Sequence, residues 1–234
     1  MSRVQCVLFD CMETIIDLKE LPTIREYALW AFEGSGQEHY WTGFDEFFES
    51  YKEARDKISN CLPQYKEYEM WERLKYVTRM KLNGDQNNEV CQVSSHLMDN
   101  FWQTYASMAY VRNEVKTVLA HLSGSRRLGV VSNFMVKDGI EQLLKQHGIF
   151  DYFDFVVTSI RVGWRKPHPE IYRVSIEKAQ VDPGNILFLG DNYECDYLGP
   201  KKMGIRALLL DRKGNFLDEA DRINNFFELL SLIS

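Results

Sequence analysis

The sequence lacks the cysteine pattern of several protein classes. Its 234 residues hold five cysteines, which are scattered and contain no C-x-x-C pair: Cys6, Cys11, Cys61, Cys91 and Cys195. This spacing argues against a disulfide scaffold and against a zinc site. We therefore expect a reducing compartment, the cytoplasm, and we interpret Cys11 as a buried spacer thiol.

Long hydrophobic runs and an excess of positive charge are also missing. No apolar stretch approaches the roughly 20 residues of a membrane-spanning helix, and we expect no secretory signal. Lys and Arg number 28 against 34 Asp and Glu, which gives a net charge of -6. This balance argues against nucleic acid or an anionic membrane as a partner. The sequence makes no prediction of oligomeric state.

What the sequence does contain falls into two patterns. From about Leu21 to Met108 apolar residues recur at helical spacing and many are aromatic, with polar breaks at 33–36, Pro63 and 83–88. Four amphipathic segments without an intervening strand predict a helical bundle. The segments are TIREYALWAF, FDEFFESYKEARDKI, YEMWERLKYVTRMKL and VSSHLMDNFWQTYASM.

The remaining sequence alternates short apolar runs with helical segments. The runs VQCVLF, LGVVSN, FDFVVTS, NILFLGD and RALLLD are continuous rather than alternating, which is typical of strands buried on both faces of a parallel sheet. We therefore predict an α/β fold, an open parallel Rossmann-like sheet built from 1–16 and 113–234. The helical bundle would be a domain inserted at 17–112.

Polar residues follow the strands of this predicted sheet. In open α/β sheets the ligand crevice lies beyond the carboxyl ends of the strands. Carboxylates there can bind Mg2+, while a lysine and hydroxyl groups can offset the charge of a phosphate. Taken singly, each such residue is more often a helix cap or turn residue. Recurrence after four strands favours a site formed by Asp10, Ser132, Asn133, Ser159 and Asp191, with Lys166 in reach.

In their order along the chain, these residues resemble the motifs of the haloacid dehalogenase-like (HAD) hydrolases. The first motif, D-x-D-x-T, resembles the sequence from Asp10 to Thr14, and the second resembles Val130 to Asn133. The third is a lysine before proline, Lys166-Pro167, and the fourth, G-D-x-x-x-x-D, is similar to 190–196. The helical insertion occurs where the family carries its cap domain.

The resemblance implies a role for each matching residue. Asp10 would be the nucleophile that forms an aspartyl-phosphate, and Ser132 and Lys166 would bind the transferring group as catalytic residues. Thr14 and Asn133 would also contact substrate. Mg2+ would be held by Asp10, Asp191 and the backbone carbonyl of Met12, with Asp196 as a further ligand. The partner would be a small phosphorylated molecule.

Met12 departs from the motif, because the family's phosphatases have an aspartate here that protonates the leaving oxygen and then activates water. Such general acid–base help is worth about 10²–10⁴ in rate. The neighbouring Glu13 is a candidate replacement, although a solvated loop carboxylate is the interpretation we favour.

Met12 leaves four explanations open. A phosphatase could be slow, use an acidic leaving group, or take its acid from elsewhere. A dehalogenase releases halide, which needs no proton. The dehalogenases that this sequence resembles need no metal, however, so the presence of Asp191 disfavours this explanation. A phosphonate (C–P) hydrolase would need a cap lysine, and the protein could also be a non-catalytic relic. We favour a Mg2+-dependent hydrolase with phosphatase chemistry. The cap lysines are Lys52, Lys57, Lys66, Lys75 and Lys81.

Overall fold

The computed structural model describes residues 4–82 and 87–233. The chain forms two compact units. The first, here called the α/β unit, uses the chain up to Leu18 and from Tyr110 onward; the second, the helical unit, is 19–109. The polar break expected at 83–88 lies largely outside the described residues.

The strands of the α/β unit confirm the predicted fold class. The order across the six-stranded sheet is β5-β4-β1-β6-β7-β8, with all neighbours parallel. A separate two-stranded sheet, β2-β3, lies where the chain passes between the units. The strand bounds are β1 Cys6–Phe9, β2 Asp17–Leu18, β3 Ala109–Tyr110, β4 Arg127–Ser132, β5 Phe155–Thr158, β6 Ile186–Gly190, β7 Arg206–Leu210 and β8 Arg222–Ile223.

Burial explains why the predicted strands are continuous apolar runs. Side chains alternate between the two faces of a strand, so both faces must be apolar when both are covered. Leu8 belongs to a buried cluster with Tyr172 and Phe188 on one face. On the other face Phe9 stacks on Phe226, with ring centroids 6.0 Å apart. The short edge strand β8 carries too few residues to give such a pattern, and it was not predicted.

Each of the four predicted amphipathic segments lies on a helix of the structure. After β6, a π-helix at Tyr193–Leu198 is followed by a short α-helix at Gly199–Lys202. Within the described residues, no helix is long and apolar enough to cross a membrane. The α-helix bounds are α1 Ile24–Phe32, α2 Phe44–Cys61, α3 Met70–Lys81, α4 Asn87–Met108, α5 Asn113–Ser123, α6 Gly139–Gln146, α7 Ser159–Val162, α8 Pro169–Ala179, α9 Gly199–Lys202 and α10 Phe226–Ile233.

The helical unit buries some of its aromatic residues completely and others only in part. A capping box between Thr23 and Glu26 starts α1. Phe47 and Tyr51 of α2 and Leu74 of α3 are fully buried. Among its other Trp and Tyr residues, Trp41 is buried, whereas several are half-buried, including Trp30, Tyr40, Tyr68, Trp71 and Trp102.

Candidate active site

Asp10 lies at the carboxyl end of the central strand of the sheet. Phe9 pairs in register with Val130 on one side and with Leu189 on the other. The Asp10 N–H continues the ladder by donating to the Leu189 carbonyl at 2.9 Å. Because β4 and β6 flank β1 in parallel, the residues that end those strands lie beside Asp10. The polar strand ends predicted to converge are thus neighbours at one edge of the sheet.

Lys166 joins two of the predicted acids. Its ammonium nitrogen lies 2.6 Å from Asp10 Oδ1 and 2.7 Å from Asp196 Oδ1, and it donates to the Val131 carbonyl at 2.8 Å. All three groups lie in the interior, with Lys166 3% and Asp196 1% exposed. An ammonium group has three protons, and each of them has an acceptor here. The lysine is therefore held as a fixed positive charge beside Asp10.

Burial and charge act on this cluster in opposite directions. Burial alone would lower the pKa of Lys166, but the carboxylates of Asp10 and Asp196 outweigh it and raise the pKa above its ordinary value. Burial raises the pKa of Asp196 to about 7, against the lowering effect of Lys166. The lysine stays charged, and it is the cation that contacts these acids.

Asp196 is positioned by the π-helix and by a glycine. Its Oδ2 accepts the Asn192 N–H at 3.0 Å. A Cβ on Gly190 would lie 2.5 Å from the Asp196 Cβ and Oδ2 atoms, so only glycine leaves room for this side chain at the strand end. Tyr172 of α8 donates to the Cys195 carbonyl at 2.5 Å and fixes the same turn. π-Helical turns are frequent at functional sites.

Three carboxylates at this edge of the sheet fit a divalent cation. Asp10, Asp191 and Asp196 each offer an oxygen, and these oxygens lie within 4.8 Å of one another. Asp191 is exposed as a residue, but partial desolvation of its carboxylate by the surrounding protein, together with the charge of Asp10, raises its pKa to about 6. Thr14 donates its hydroxyl to Asp191 Oδ1 at 3.4 Å. A set of carboxylate oxygens is suited to a hard cation such as Mg2+.

The loop after Asp10 leaves the Met12 carbonyl out of its hydrogen bonds. Met12 forms an isolated bridge with Ile16. Both bonds of the bridge use its neighbours: the Ile16 N–H donates to the Cys11 carbonyl at 2.9 Å, and the Glu13 N–H donates to the Ile16 carbonyl at 2.7 Å. The bridge therefore does not use the Met12 carbonyl. A carbonyl that binds a metal must be available in this way.

Glu13 differs from the solvated loop carboxylate that we expected. It is half-buried, and its φ of 59° lies in the left-handed region. Its Oε1 accepts the Leu18 N–H at 3.1 Å. Burial raises the pKa of Glu13 against the lowering effect of this bond. The Glu13 carboxylate therefore stabilises the loop 13–18 through this hydrogen bond.

The predicted Ser and Asn residues are used in different ways. The Ser132 hydroxyl is buried and has no hydrogen-bond partner among the described residues. The Asn133 side chain instead forms two hydrogen bonds with the Lys166 backbone. Its Oδ1 accepts the Lys166 N–H at 2.6 Å, and its Nδ2 donates to the Lys166 carbonyl at 3.0 Å. Ser159 accepts the Phe134 N–H at 2.9 Å and so supports the neighbouring loop. Ser132 is thus the open donor, whereas Asn133 fixes the position of Lys166.

An arginine that the sequence analysis missed holds the loop after Asp10. Arg212 follows β7 and donates Nη1 to the Glu13 carbonyl at 2.8 Å and Nη2 to the Thr14 carbonyl at 3.0 Å. Nη1 also lies 2.9 Å from Asp17 Oδ1, and Arg112 Nε lies 2.6 Å from Asp17 Oδ2. These partners are separated by at least 95 positions, and no local motif marks them.

The match to known proteins agrees with this geometry. A family model described as hydrolase, haloacid dehalogenase-like hydrolase, matches residues 4–204. The chain therefore belongs to the haloacid dehalogenase-like hydrolases and is an enzyme of that class. The predicted family resemblance is confirmed.

Several curated proteins are similar to this chain. Haloacid dehalogenase-like hydrolase domain-containing protein 3 from Homo sapiens is 40% identical over 84 residues, covering 36% of this chain and only 33% of that protein. Its Bos taurus counterpart is 27% identical over 214 residues, covering 89% of this chain and 82% of that protein. Glyceraldehyde 3-phosphate phosphatase from Methanothermobacter thermautotrophicus is 33% identical over 110 residues, 47% of each chain.

Solved structures support the fold. A 2-haloacid dehalogenase from Pseudomonas syringae has a TM-score of 0.76 at 21% identity, with 98% of both chains covered. A HAD phosphatase from Thermococcus onnurineus has a TM-score of 0.68 at 23% identity, again with 98% of both chains covered. At these identities the likeness concerns the fold alone.

Proposed function

We propose that this hydrolase is a Mg2+-dependent phosphatase that acts on a small phosphorylated molecule through an aspartyl-phosphate at Asp10. The observation that carries the proposal is the buried arrangement of Asp10, Lys166 and Asp196, with the open Ser132 hydroxyl on the next strand. A nucleophile, a fixed cation and an unsatisfied donor are the groups that phosphoryl transfer to a carboxylate needs.

The Ser132 hydroxyl supports phosphate as the ligand. A buried hydroxyl without a partner costs about 1–3 kcal/mol. An oxygen of a bound phosphoryl group would accept its hydrogen bond, and the same group would be attracted by the Lys166 ammonium. Contact of Thr14 and Asn133 with the substrate stays a prediction, since their side chains bond to Asp191 and to the Lys166 backbone.

The three carboxylates and the Met12 carbonyl are the groups that would hold Mg2+. Asp10, Asp191 and Asp196 carry more negative charge than Lys166 offsets, which favours a cation beside them. When bound, Mg2+ would neutralise charge on the phosphoryl oxygens and on Asp10.

In the first step the Asp10 carboxylate attacks phosphorus, and the bond from phosphorus to the leaving oxygen breaks with its electron pair. Lys166 and Ser132 stabilise the charge that develops on the phosphoryl oxygens. In the second step water attacks the phosphorus of the aspartyl-phosphate and frees Asp10. We further propose that the helical unit is the cap domain.

The named relatives support this class of substrate. One is a glyceraldehyde 3-phosphate phosphatase, and another, from Escherichia coli and 31% identical over 97 residues, is a pyrimidine 5'-nucleotidase. We propose a cytoplasmic location because the cysteines are free. We also propose that neither nucleic acid nor a membrane is a partner, because the net charge is -6.

The test is hydrolysis of para-nitrophenyl phosphate with and without Mg2+. We expect Mg2+-dependent release by the wild type, loss of release in Asp10→Asn, and faster turnover in Met12→Asp, which regains an acid–base group. Glu13→Gln is the matched control, because it neutralises a neighbouring carboxylate but keeps an acceptor for the Leu18 N–H.

Two results would overturn the proposal. One is release that survives in Asp10→Asn. The other is Mg2+-independent halide release from a 2-haloacid by a wild type that releases no phosphate, which would indicate the dehalogenase reaction.

A further inference from the structure

Resting on the proposed function, we infer the substrate class: phosphorylated compounds whose leaving group departs as a stable anion without taking a proton. Acyl phosphates are the type case, and phosphorylated alkyl alcohols are the class that the site disfavours. The inference concerns the first step, in which the leaving oxygen receives the electron pair of the broken bond.

The chemistry of the leaving group decides whether this step needs an acid. A departing carboxylate has a conjugate acid with a pKa of about 4, and a phenolate about 10. A departing alkoxide is closer to hydroxide, whose conjugate acid, water, has a pKa far above that of a phenol. An alkyl phosphate therefore needs a proton donor at the leaving oxygen, whereas an acyl phosphate does not.

The loop that follows the nucleophile offers no free proton donor. Met12 has no acidic proton. The Glu13 carboxylate accepts the Leu18 N–H at 3.1 Å and is committed to its own loop. The Cys11 side chain is fully buried.

The remaining titratable side chains near Asp10 are engaged as well. Lys166 donates toward Asp10, Asp196 and the Val131 carbonyl, which uses all three of its protons. Both carboxylate oxygens of Asp196 act as acceptors, one for Lys166 and one for the Asn192 N–H. Asp191 belongs to the carboxylate set suited to Mg2+, and as a metal ligand it would be ionised. In the described part of the α/β unit, no side chain of this cluster is placed as a free acid.

The same loop affects the second step differently. When water attacks the aspartyl-phosphate, the group that leaves is the Asp10 carboxylate, which needs no proton. Only the base that would activate water is missing, and this deficit is the same for every substrate. Selectivity between leaving groups therefore arises in the first step and is measured by kcat/KM.

The experiment compares kcat/KM in Mg2+ for acetyl phosphate, a series of substituted phenyl phosphates, and glyceraldehyde 3-phosphate as the alkyl phosphate. For the wild type we expect kcat/KM to fall steeply as the leaving group becomes more basic. In Met12→Asp the dependence should flatten, so that the preference for acetyl over alkyl phosphate shrinks by about 10²–10⁴. Met12→Asn, which matches aspartate in shape but has no acidic proton, should keep the steep dependence.

The results separate failure of this inference from failure of the proposed function. A shallow wild-type dependence, with the alkyl phosphate within tenfold of acetyl phosphate, would overturn the inference and leave the phosphatase proposal standing. Equal flattening in Met12→Asp and Met12→Asn would also overturn the inference and keep the phosphatase proposal, because an acidic proton would then not be the cause of the flattening. No Asp10-dependent hydrolysis of any of these compounds would overturn both. The wild-type series decides the inference even if the variants fail to fold.

Discussion

Arg212 offers the sharpest test of how the tertiary structure supports the site. Its side chain is 20% exposed and contacts two backbone carbonyls of the loop that carries Met12, together with the buried Asp17. Substitution by methionine keeps much of the length of the side chain and removes the charge and the donors. The loop then loses its anchor to the end of β7.

The cost in stability follows from these contacts. Hydrogen bonds that involve a charged group contribute about 1.5–3 kcal/mol each. Asp17 keeps Arg112 at 2.6 Å, so its carboxylate is not left unpaired. We expect Arg212→Met to lower the free energy of unfolding by about 3 kcal/mol, near the lower end of the cost of breaking a buried pair. At roughly 2–4 °C per kcal/mol the Tm falls by about 6–12 °C.

The expected effect on metal binding is separate from stability. Removal of groups that hold metal ligands in place typically weakens metal binding about 10–100-fold. Isothermal titration of Mg2+ and differential scanning calorimetry should show a weaker Kd and a lower Tm for Arg212→Met. Arg212→Lys keeps the charge but lacks the fork that reaches two carbonyls, so its Kd should be intermediate.

Arg222→Met is the matched control. Arg222 lies 3.6 Å from Asp211, is 22% exposed, and belongs to the neighbouring strand β8. An unchanged Mg2+ Kd in Arg212→Met would refute the reasoning, even with a lower Tm. An equal loss of affinity in Arg222→Met would refute it as well, because general destabilisation would then be the cause.

Buried charge, packing at a strand end and thiol exposure give three more tests. Lys166→Met leaves two buried carboxylates without their shared cation. Urea unfolding should therefore show that the free energy of unfolding falls by about 3–5 kcal/mol, and an unchanged value would contradict this prediction. Gly190→Ala drives a Cβ into Asp196 and should lower the Tm, whereas Gly124→Ala, with open space around it, should not. Thiol titration of the native protein should give two fast equivalents, from the exposed Cys61 and Cys91, and a slower one from the half-buried Cys195; fast reaction of all five thiols would contradict the burial of Cys6 and Cys11.

The strand-end residues were accessible from the sequence because their signal is local. An apolar run buried on both faces stands out without knowledge of its partners, and the residue that follows it must lie at the sheet edge. Asp10 and Asp191 follow such runs directly. The position of Lys166 came from its motif, and its contact with Asp10 at 2.6 Å agrees with that position.

Other features depend on pairings that no short stretch encodes. Asn133 has the right residue type and place for a ligand-binding group, yet its amide is bonded to the Lys166 backbone. Glu13 looked like a solvated loop residue until a left-handed turn brought its carboxylate to the Leu18 N–H. In both cases the fold determines which atoms the polar side chain meets.

The sequence by itself determined the family, the parallel α/β fold and the set of acids at the carboxyl ends of the strands. Apolar periodicity and short motifs are local properties, and the chain carries them before it folds. Only the tertiary structure decided that Arg212, 195 positions from Asp17, anchors the loop of Met12. It also decided that Gly190 makes room for Asp196. Such contacts depend on how the strands are ordered and registered, which arises from the packing of the whole sheet.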